Sequence, residues 1–552
     1  MPRAGRHGPP GSSTRGLCAG LAAAASLLLA APPFVPSAKA QLLPDTGTTV
    51  QVGALRQQLE GLLNTGANAP ATPGWTITPA LGAEERWTDH LLEADGTGKS
   101  TFVTALLPSV LINGQTERTA TTISYAPALE YYSNGSRGRI NQDLNAASKI
   151  TVWPEHLFLD LRGFAAVQPT YGGYGPGGTA AVASQDETQT LSFSAHPYLR
   201  QSFGDLGNAE LGATLSHVSQ NGLASSLSSG QPAPIVAVPG QNLTEEQEYF
   251  SLSSGPAFGR TTAGLQLSAS QDTGSGVLSN ARQDSAVVNL GYLVTRSLTA
   301  LTSFGYDDIH YAGTPPFNYS GPRWSVGAHW IPNPDSSITV NYGRQEGVES
   351  AQVDASYALT ARTRVFARYS EGITSGLEQV LNGMNGSTLD AAGNPVASNG
   401  TPLQINNGFY GVQNNLERVT DTSVTVTTLR DRDAMAVTFS YQQSHQLAAS
   451  SATNASSLNS TGWYGTLSWQ RSLWPDLSAS AFVLWGTNQY APANGGKNSD
   501  TLVFSLNLNY AVSRTISAYA QYSWTRQTYA GLAGTIPALP TNLIIIGARK
   551  TF

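Results

Sequence analysis

The sequence predicts an all-β protein: a transmembrane antiparallel up-and-down β-barrel of about 22 strands (range roughly 18–22), with short periplasmic turns and long extracellular loops. Three observations predict it. Segments of about ten residues alternate apolar and polar side chains. A unit of aromatic, polar turn, alternating strand and aromatic recurs along the chain. The chain also finishes on "NLIIIGARKTF", an alternating segment whose last residue is Phe552.

The alternation is explicit. In "TLVFSLNLNY", Leu502, Phe504, Leu506, Leu508 and Tyr510 share one parity, and Ser505, Asn507 and Asn509 share the other. In "TISAYAQYSW", Ile516, Ala518, Ala520, Tyr522 and Trp524 oppose Ser517, Tyr519, Gln521 and Ser523. A period of two puts such sets on opposite faces of a sheet. About ten residues is also the length that crosses a bilayer when tilted.

The repeating unit runs from Trp330 to Tyr342, from Tyr357 to Tyr369 and from Tyr510 to Tyr522, the paired aromatics standing twelve positions apart each time. Paired aromatics at that spacing suit the two interfacial girdles of a barrel. Tight turns such as Asn333-Pro334-Asp335, Pro475-Asp476, Pro154-Glu155 and Gly204-Asp205 alternate with longer polar stretches at 171–187, 221–244 and 372–412. Strand starts fall near residues 75, 100, 118, 138, 157, 188, 207, 246, 262, 282, 297, 321, 335, 350, 363, 416, 433, 461, 476, 500, 515 and 541. That is an even number, which returns both barrel ends to the periplasmic side. The rival folds fit less well. A soluble sandwich needs a more aliphatic inner face than these Ser, Asn, Gln and Thr positions provide, and a β-helix needs a shorter repeat.

Composition agrees. Charged residues are 12% of the chain, about half the usual share. Beyond residue 40 no apolar run approaches the ~20 residues of a spanning helix. Residues 1–40 read as a secretory signal peptide: Arg3, Arg6 and Arg15, an apolar core closed by Pro32, Pro33 and Pro36, then Ala38 and Ala40 before Gln41. The only cysteine, Cys18, lies inside it, so the mature chain offers no disulfide and no thiol chemistry. Loss of four basic residues (Arg3, Arg6, Arg15, Lys39) takes the net charge from −6 to −10. No basic patch with interleaved aromatics is present, so nucleic acid is not an expected partner.

Residues 41–74 read as a periplasmic N-terminal segment, and 75–552 as the barrel. Within 48–63, Val52, Leu55, Leu59 and Leu62 fall on one face of a short amphipathic helix. A segment of this size is too small for the folded plug of a TonB-dependent transporter or for an autotransporter passenger. The C-terminal segment reads as the closing strand. Ile544, Ile546, Ala548 and Phe552 share a parity, with Gly547 between them. It looks like the signal read by the barrel assembly machinery, although Lys550 stands at a usually apolar position and would have to snorkel.

"WTITPALGAEERWTDHLL", "STFVTALLPSVLINGQTERTATTISYAPALEYYSNG" and "GRINQDLNAASKITVWPEHLFLDLRGF" resemble the opening hairpins of the outer-membrane β-barrel porin family associated with exosortase and PEP-CTERM exopolysaccharide systems. The similar positions are Trp75, Pro79, Thr88-Asp89, Phe102, Pro108, Tyr125, Tyr132, Leu144 and Phe158, clearest over 75–165. Where that family has Asn after the Thr-Asp pair, this chain has His90. The resemblance implies an outer-membrane location and a role in polysaccharide secretion.

Few residues suggest chemistry. "DGTGKST" (Asp95 to Thr101) lacks the first glycine of a phosphate loop, because that position is Glu93, and it reads as a hairpin loop. The eight histidines show no metal-ligand spacing. Asp307, Asp308 and His310 sit at the top of a strand, where a cation would find them. Asp160, Arg162, Arg364, Arg368 and Arg549 occupy the polar parity of their strands. They read either as a lumen field that selects solutes or as a mutually paired network. The 372–412 stretch either folds inward as a constriction or stays outside.

These readings point to a channel passing polar solutes or a secreted polysaccharide, with a sealed accessory barrel of an export complex as the alternative and a barrel hydrolase third. No catalytic, cofactor-binding or metal residue stands out. Expected partners are outer-membrane lipid, the barrel assembly machinery, and polysaccharide or periplasmic export components.

Overall fold

The computed structural model describes residues 74–92, 98–133, 138–169, 187–221, 240–390, 393–397, 415–449, 459–490, 498–530 and 540–552. The signal peptide expected at 1–40 and the N-terminal segment with the helix expected at 48–63 lie outside them, as do most of 171–187 and 221–244.

β1 (Gly74–Leu92) and β2 (Gly98–Gln115) form the first hairpin. β3 (Thr119–Tyr125 and Ala128–Tyr132) and β4 (Arg139–Asn141 and Leu144–Trp153) each come in two pieces. β5 (Leu157–Pro169), β6 (Glu187–Ser202), β7 (Gly207–Gln220), β8 (Gln241–Ser254) and β9 (Thr261–Gly274) follow. Next are β10 (Ser279–Thr295), β11 (Leu298–Tyr311), β12 (Phe317–Trp330), β13 (Ser337–Gln345), β14 (Val348–Thr360) and β15 (Thr363–Ser375). Helix α1 (Gly376–Asn385) and a ribbon of Ser387–Leu389 with Pro395–Ala397 precede β16 (Leu416–Arg430). β17 (Asp433–Ala448), β18 (Ser460–Trp474), β19 (Leu477–Tyr490), β20 (Asn498–Ala511), β21 (Ile516–Ala530) and β22 (Thr541–Thr551) complete the chain.

Each of these 22 strands pairs antiparallel with the next, and β22 pairs with β1 from Ala80↔Thr551 to Thr88↔Leu543. The sheet is closed. Observed strand starts lie within five residues of the expected ones, the largest difference being β8, which begins at Gln241 and not near 246. Gln241, Asn242 and Thr244 make the top of β8 polar on both faces, so its alternation fades before its hydrogen-bond ladder does. The breaks in β3 and β4 share a cause. Pro127 offers no N–H to the ladder. Across the gap, Ala126 N donates to Asp143 O at 2.9 Å, and Gln189 Nε2 donates to Gln142 O at 3.0 Å.

The outer face is apolar. Leu211, Leu252, Leu290, Phe304, Val326, Phe439 and Leu506 all point outward and are exposed. Among the described residues no helix is long and apolar enough to cross a membrane. A closed barrel with an apolar belt satisfies every backbone group internally and buries its outer side chains in lipid. The protein is an outer-membrane barrel. Trp330, Tyr342, Tyr357, Tyr510 and Tyr522 are exposed on the outer face, and Tyr369 is half-buried there.

The terminal strand behaves as a seam. Ile544, Ile546, Ala548 and Phe552 face outward, and Phe552 N donates to Pro79 O at 2.9 Å. Lys550 lies on the same face, with Nζ 5.1 Å from the Phe552 ring centroid. On the inner face Arg86 Nε donates to Glu84 Oε1 at 2.5 Å, and Arg86 Nη1 donates to Glu130 Oε1 at 2.6 Å. Tyr132 OH donates to Glu130 at 2.7 Å, and Tyr519 OH donates to Glu84. This buried network joins β21, β1 and β3 across the closure. Gly547 makes room for it: a Cβ there would lie 2.4 Å from the Tyr519 ring and 2.9 Å from the Glu84 Cβ.

Arg86 is the cation that bonds both buried carboxylates, with Arg139 directly opposite Glu130 on the neighbouring strand. Arg86→Met leaves Glu84 and Glu130 buried without it. The change is expected to cost about 3–5 kcal/mol of stability, read as a lower denaturant midpoint in detergent micelles. Glu84→Gln with Glu130→Gln in the same chain should restore most of the loss.

Candidate functional site: the constricted lumen

Most inward positions are polar, as expected for a water-filled interior. From β17 to β21 the inward side chains include Thr438, Ser440, Gln442, Thr466, Ser468, Gln470, Ser480, Asn488, Ser505, Asn507, Gln521 and Ser523. Among the described residues this wall carries no Asp, Glu, Lys or Arg on its inner face. It carries hydroxyl and amide groups, both donors and acceptors, around a small buried apolar patch of Phe482, Leu484 and Val503.

The opposite wall is charged and aromatic. Asp160 faces Lys149 on β4 and His196 on β6, and Arg162 faces Ala147 and Ser194. Phe158 and Tyr198 stack with ring centroids 5.1 Å apart, and both Lys149 and Arg200 lie over the pair. Tyr249 OH donates to Glu210 Oε1 at 2.7 Å and contacts His196 Nε2 at 2.9 Å. The sequence points to Asp160 and Arg162 but not to the cluster around them, because its members come from β4 to β8 and meet only through register.

Arg364 and Arg368 lie further round on β15, with Arg368 directly opposite Asp354. Arg549 is at the seam, where Nη2 donates to Ser109 Oγ at 3.0 Å. All five candidate charges point inward, but they occupy three separate sectors. Asp307, Asp308 and His310 are not brought together. Asp307 points inward, accepts from Ser285 Oγ at 2.8 Å and pairs with Arg323 at 3.7 Å. Asp308 and His310 are on the outer face, so alternation splits the expected cation ligands across the wall. Among the described residues no three His, Cys, Asp or Glu side chains form a metal-binding group. The 98–101 part of "DGTGKST" is strand β2, paired with β1.

The decisive feature is the segment after β15. Ser375 caps α1: its Oγ accepts from Glu378 N, and Glu378 Oε2 accepts from Ser375 N at 2.6 Å. This reciprocal capping box starts the helix. Leu377, Val380, Leu381 and Met384 recur at helical spacing on one face. Gly386 N then donates to Asn382 O at 2.9 Å, and the ribbon follows.

α1 folds inward, so the described part of 372–412, residues 372–390 and 393–397, takes the inward course, and the rest of that stretch lies outside the described residues. Its apolar face is buried against Phe164, Val218, Leu243, Leu278, Ala281, Ile309, Ile373 and Leu416. Glu378 Oε1 accepts from Tyr311 OH at 2.6 Å and from Gln283 Nε2 at 3.1 Å, tying the helix to β11 and β10. At the far end, Asn385 Nδ2 donates to Ser216 Oγ on β7 at 3.4 Å. The ribbon continues to β4. Its turn residue Gly393 (φ +86°) sits so close to β3 that a Cβ would lie 2.4 Å from the Ser124 Cβ.

One row of paired residues receives this segment. Leu111, Ser124, Asn145, Phe164, Ser192, Val218 and Leu243 are successive cross-strand partners from β2 to β8. Residues 376–397 therefore span the lumen from β15 to β2. The capping box and the apolar period were legible in "SGLEQVLNGMN"; the direction of folding was not.

No family model matches the sequence, and no curated protein matches it. Solved structures do. The ferric-catecholate import receptor Fiu from E. coli K12, open form, is 11% identical, with 86% of this chain and 81% of that chain covered and a TM-score of 0.47. The siderophore receptor PiuA from Acinetobacter baumannii is 10% identical, with 87% and 82% covered and a TM-score of 0.47. The FrpB iron transporter from Neisseria meningitidis is 10% identical, with 86% and 81% covered and a TM-score of 0.45.

Leu381 is completely buried under α1. Leu381→Ala is expected to cost about 2–5 kcal/mol of docking energy. Hydrogen exchange should then speed up across 376–385 while the exchange of β17 to β21 stays unchanged.

Proposed function

We propose that the protein is a porin-like channel, passing polar solutes or a secreted exopolysaccharide through a lumen narrowed by residues 376–397. The observation that carries this reading is the inward-folded segment. A helix and ribbon reaching into a polar-walled barrel narrow the lumen and set a size limit. The charge-free hydroxyl-and-amide wall of β17 to β21 favours an uncharged, hydroxyl-rich solute, because it offers hydrogen bonds without a field that traps ions. The resemblance of residues 75–165 to the barrels of exosortase and PEP-CTERM systems supports polysaccharide as that solute. Barrel assembly machinery and periplasmic export components are then the fitting partners.

The second reading is a sealed accessory barrel. The fully buried apolar cluster around α1 favours it, since a dry cluster at the mouth resists water. The solved neighbours are an import receptor, a siderophore receptor and an iron transporter by name. Their similarity to this chain is too low to bring those activities to it.

Single-channel recording in a planar bilayer separates the readings. The channel gives steady current steps, and replacing 376–397 with a short Gly-Ser linker raises the step size several-fold. Changing Arg364 and Arg368 to Gln should shift the reversal potential toward cations. Silence from folded, inserted protein, with and without 376–397, overturns the channel in favour of the sealed barrel.

A further inference from the structure

The carboxyl group of Asp272 on β9 is 1% exposed, and neither oxygen has a hydrogen-bond partner. Its neighbours make this costly. Glu245 is its direct cross-strand partner on β8, and Glu378 of α1 is the other charged group acting on it. A buried carboxylate beside two more carboxylates is not stable as an anion without a compensating charge. No metal-binding group forms among the described residues, so a proton is the compensating charge this geometry accommodates.

The groups packed around α1 give the effect one sign. α1 contributes Glu378 and no other charge. β8 contributes Glu245, β9 Asp272, β11 Tyr311 and Asp307, the β13–β14 turn Glu346, and β16 Glu417. Gln283 of β10 is neutral, and Arg323 is engaged by Asp307. Raising the pH therefore only adds negative charge beneath the helix.

These residues also stand above the lipid belt. At their level the outward positions are polar: Thr244 and Glu246 on β8, Gln271 and Thr273 on β9, Arg282 and Asp284 on β10, and Asp308 and His310 on β11. The site is thus in the water-facing collar on the loop side of the barrel.

We propose that Asp272 is a pH-operated lock on the constriction: uncharged, it lets α1 seat in the mouth, and its ionisation beside Glu378 drives the helix out. Burial, then Glu378 and Glu245, push the Asp272 carboxyl up to about 9. With α1 displaced the group returns toward its ordinary value of about 4. The seated state therefore holds an extra proton between those values, and seating weakens as pH rises through that window. The lock is tightest in acid and weakest in alkali.

The test is hydrogen exchange by mass spectrometry over 376–385, on the full chain in lipid nanodiscs at pH 5, 7 and 9, corrected for the intrinsic pH dependence of exchange. Protection should fall with rising pH, by up to about tenfold per pH unit. Asp272→Asn, which mimics the protonated group, should stay protected at every pH. Glu378→Gln should show a smaller fall than the wild type, and it keeps the test decisive if Asp272→Asn does not fold. Equal wild-type protection at pH 5 and pH 9 overturns the proposal, as does a wild-type fall that survives in Asp272→Asn. The readout is not current, so failure of the channel reading leaves this result standing.

Discussion

Closure of the β1–β22 edge is the constraint on which everything else depends. In lipid an unpaired strand edge leaves a row of N–H and C=O groups with no partner, at several kcal/mol each. The chain therefore has to bring residues 80–88 to residues 543–551, at opposite ends of the sequence. Once that pairing forms, strand number is even, both ends share a rim, and each side chain's assignment to lipid or lumen follows from its parity. The seam adds its own fastening. Glu84, Arg86, Glu130 and Tyr519 hold one another from inside, while Phe552 and the isoleucines grip lipid from outside.

Inside the barrel, the largest buried apolar cluster among the described residues is the one around α1. Phe164, Val218, Leu243, Ile309 and Leu416 all lie on α1's cluster and are all apolar. Left facing water they would be a fault in the pattern. They exist because α1 brings its own apolar face to them. The helix cannot hold its apolar face in solvent, and the wall cannot leave these side chains bare, so each explains the other. A local violation of patterning marks the site here, as it often does at functional positions.

The lumen is consequently two-sided. One wall, β17 to β21, is neutral and rich in hydroxyls and amides. The other carries rings and charges, and its upper part meets a helix whose contacts are acidic. In the proposed channel the neutral wall lies beside the path, and in the proposed lock the acidic seat under α1 makes its docking depend on charge.

The amino-acid sequence by itself determined the fold class, the strand count, the seam and the face on which each strand residue lies. These are local or periodic properties, set by alternation at period two, by turn residues and by a terminal aromatic. It also contained the α1 signal, in the spacing of Ser375 to Glu378 and of Leu377 to Met384. Only the tertiary structure decided that α1 turns inward. That depends on Phe164, Val218 and Leu243 standing in one cross-strand row. Register decided the rest as well: it put Lys149 and Arg200 over Phe158 and Tyr198 and set Asp272 against Glu245. Such contacts join residues tens to hundreds of positions apart, and no periodicity along one strand records which row of its neighbour it will meet.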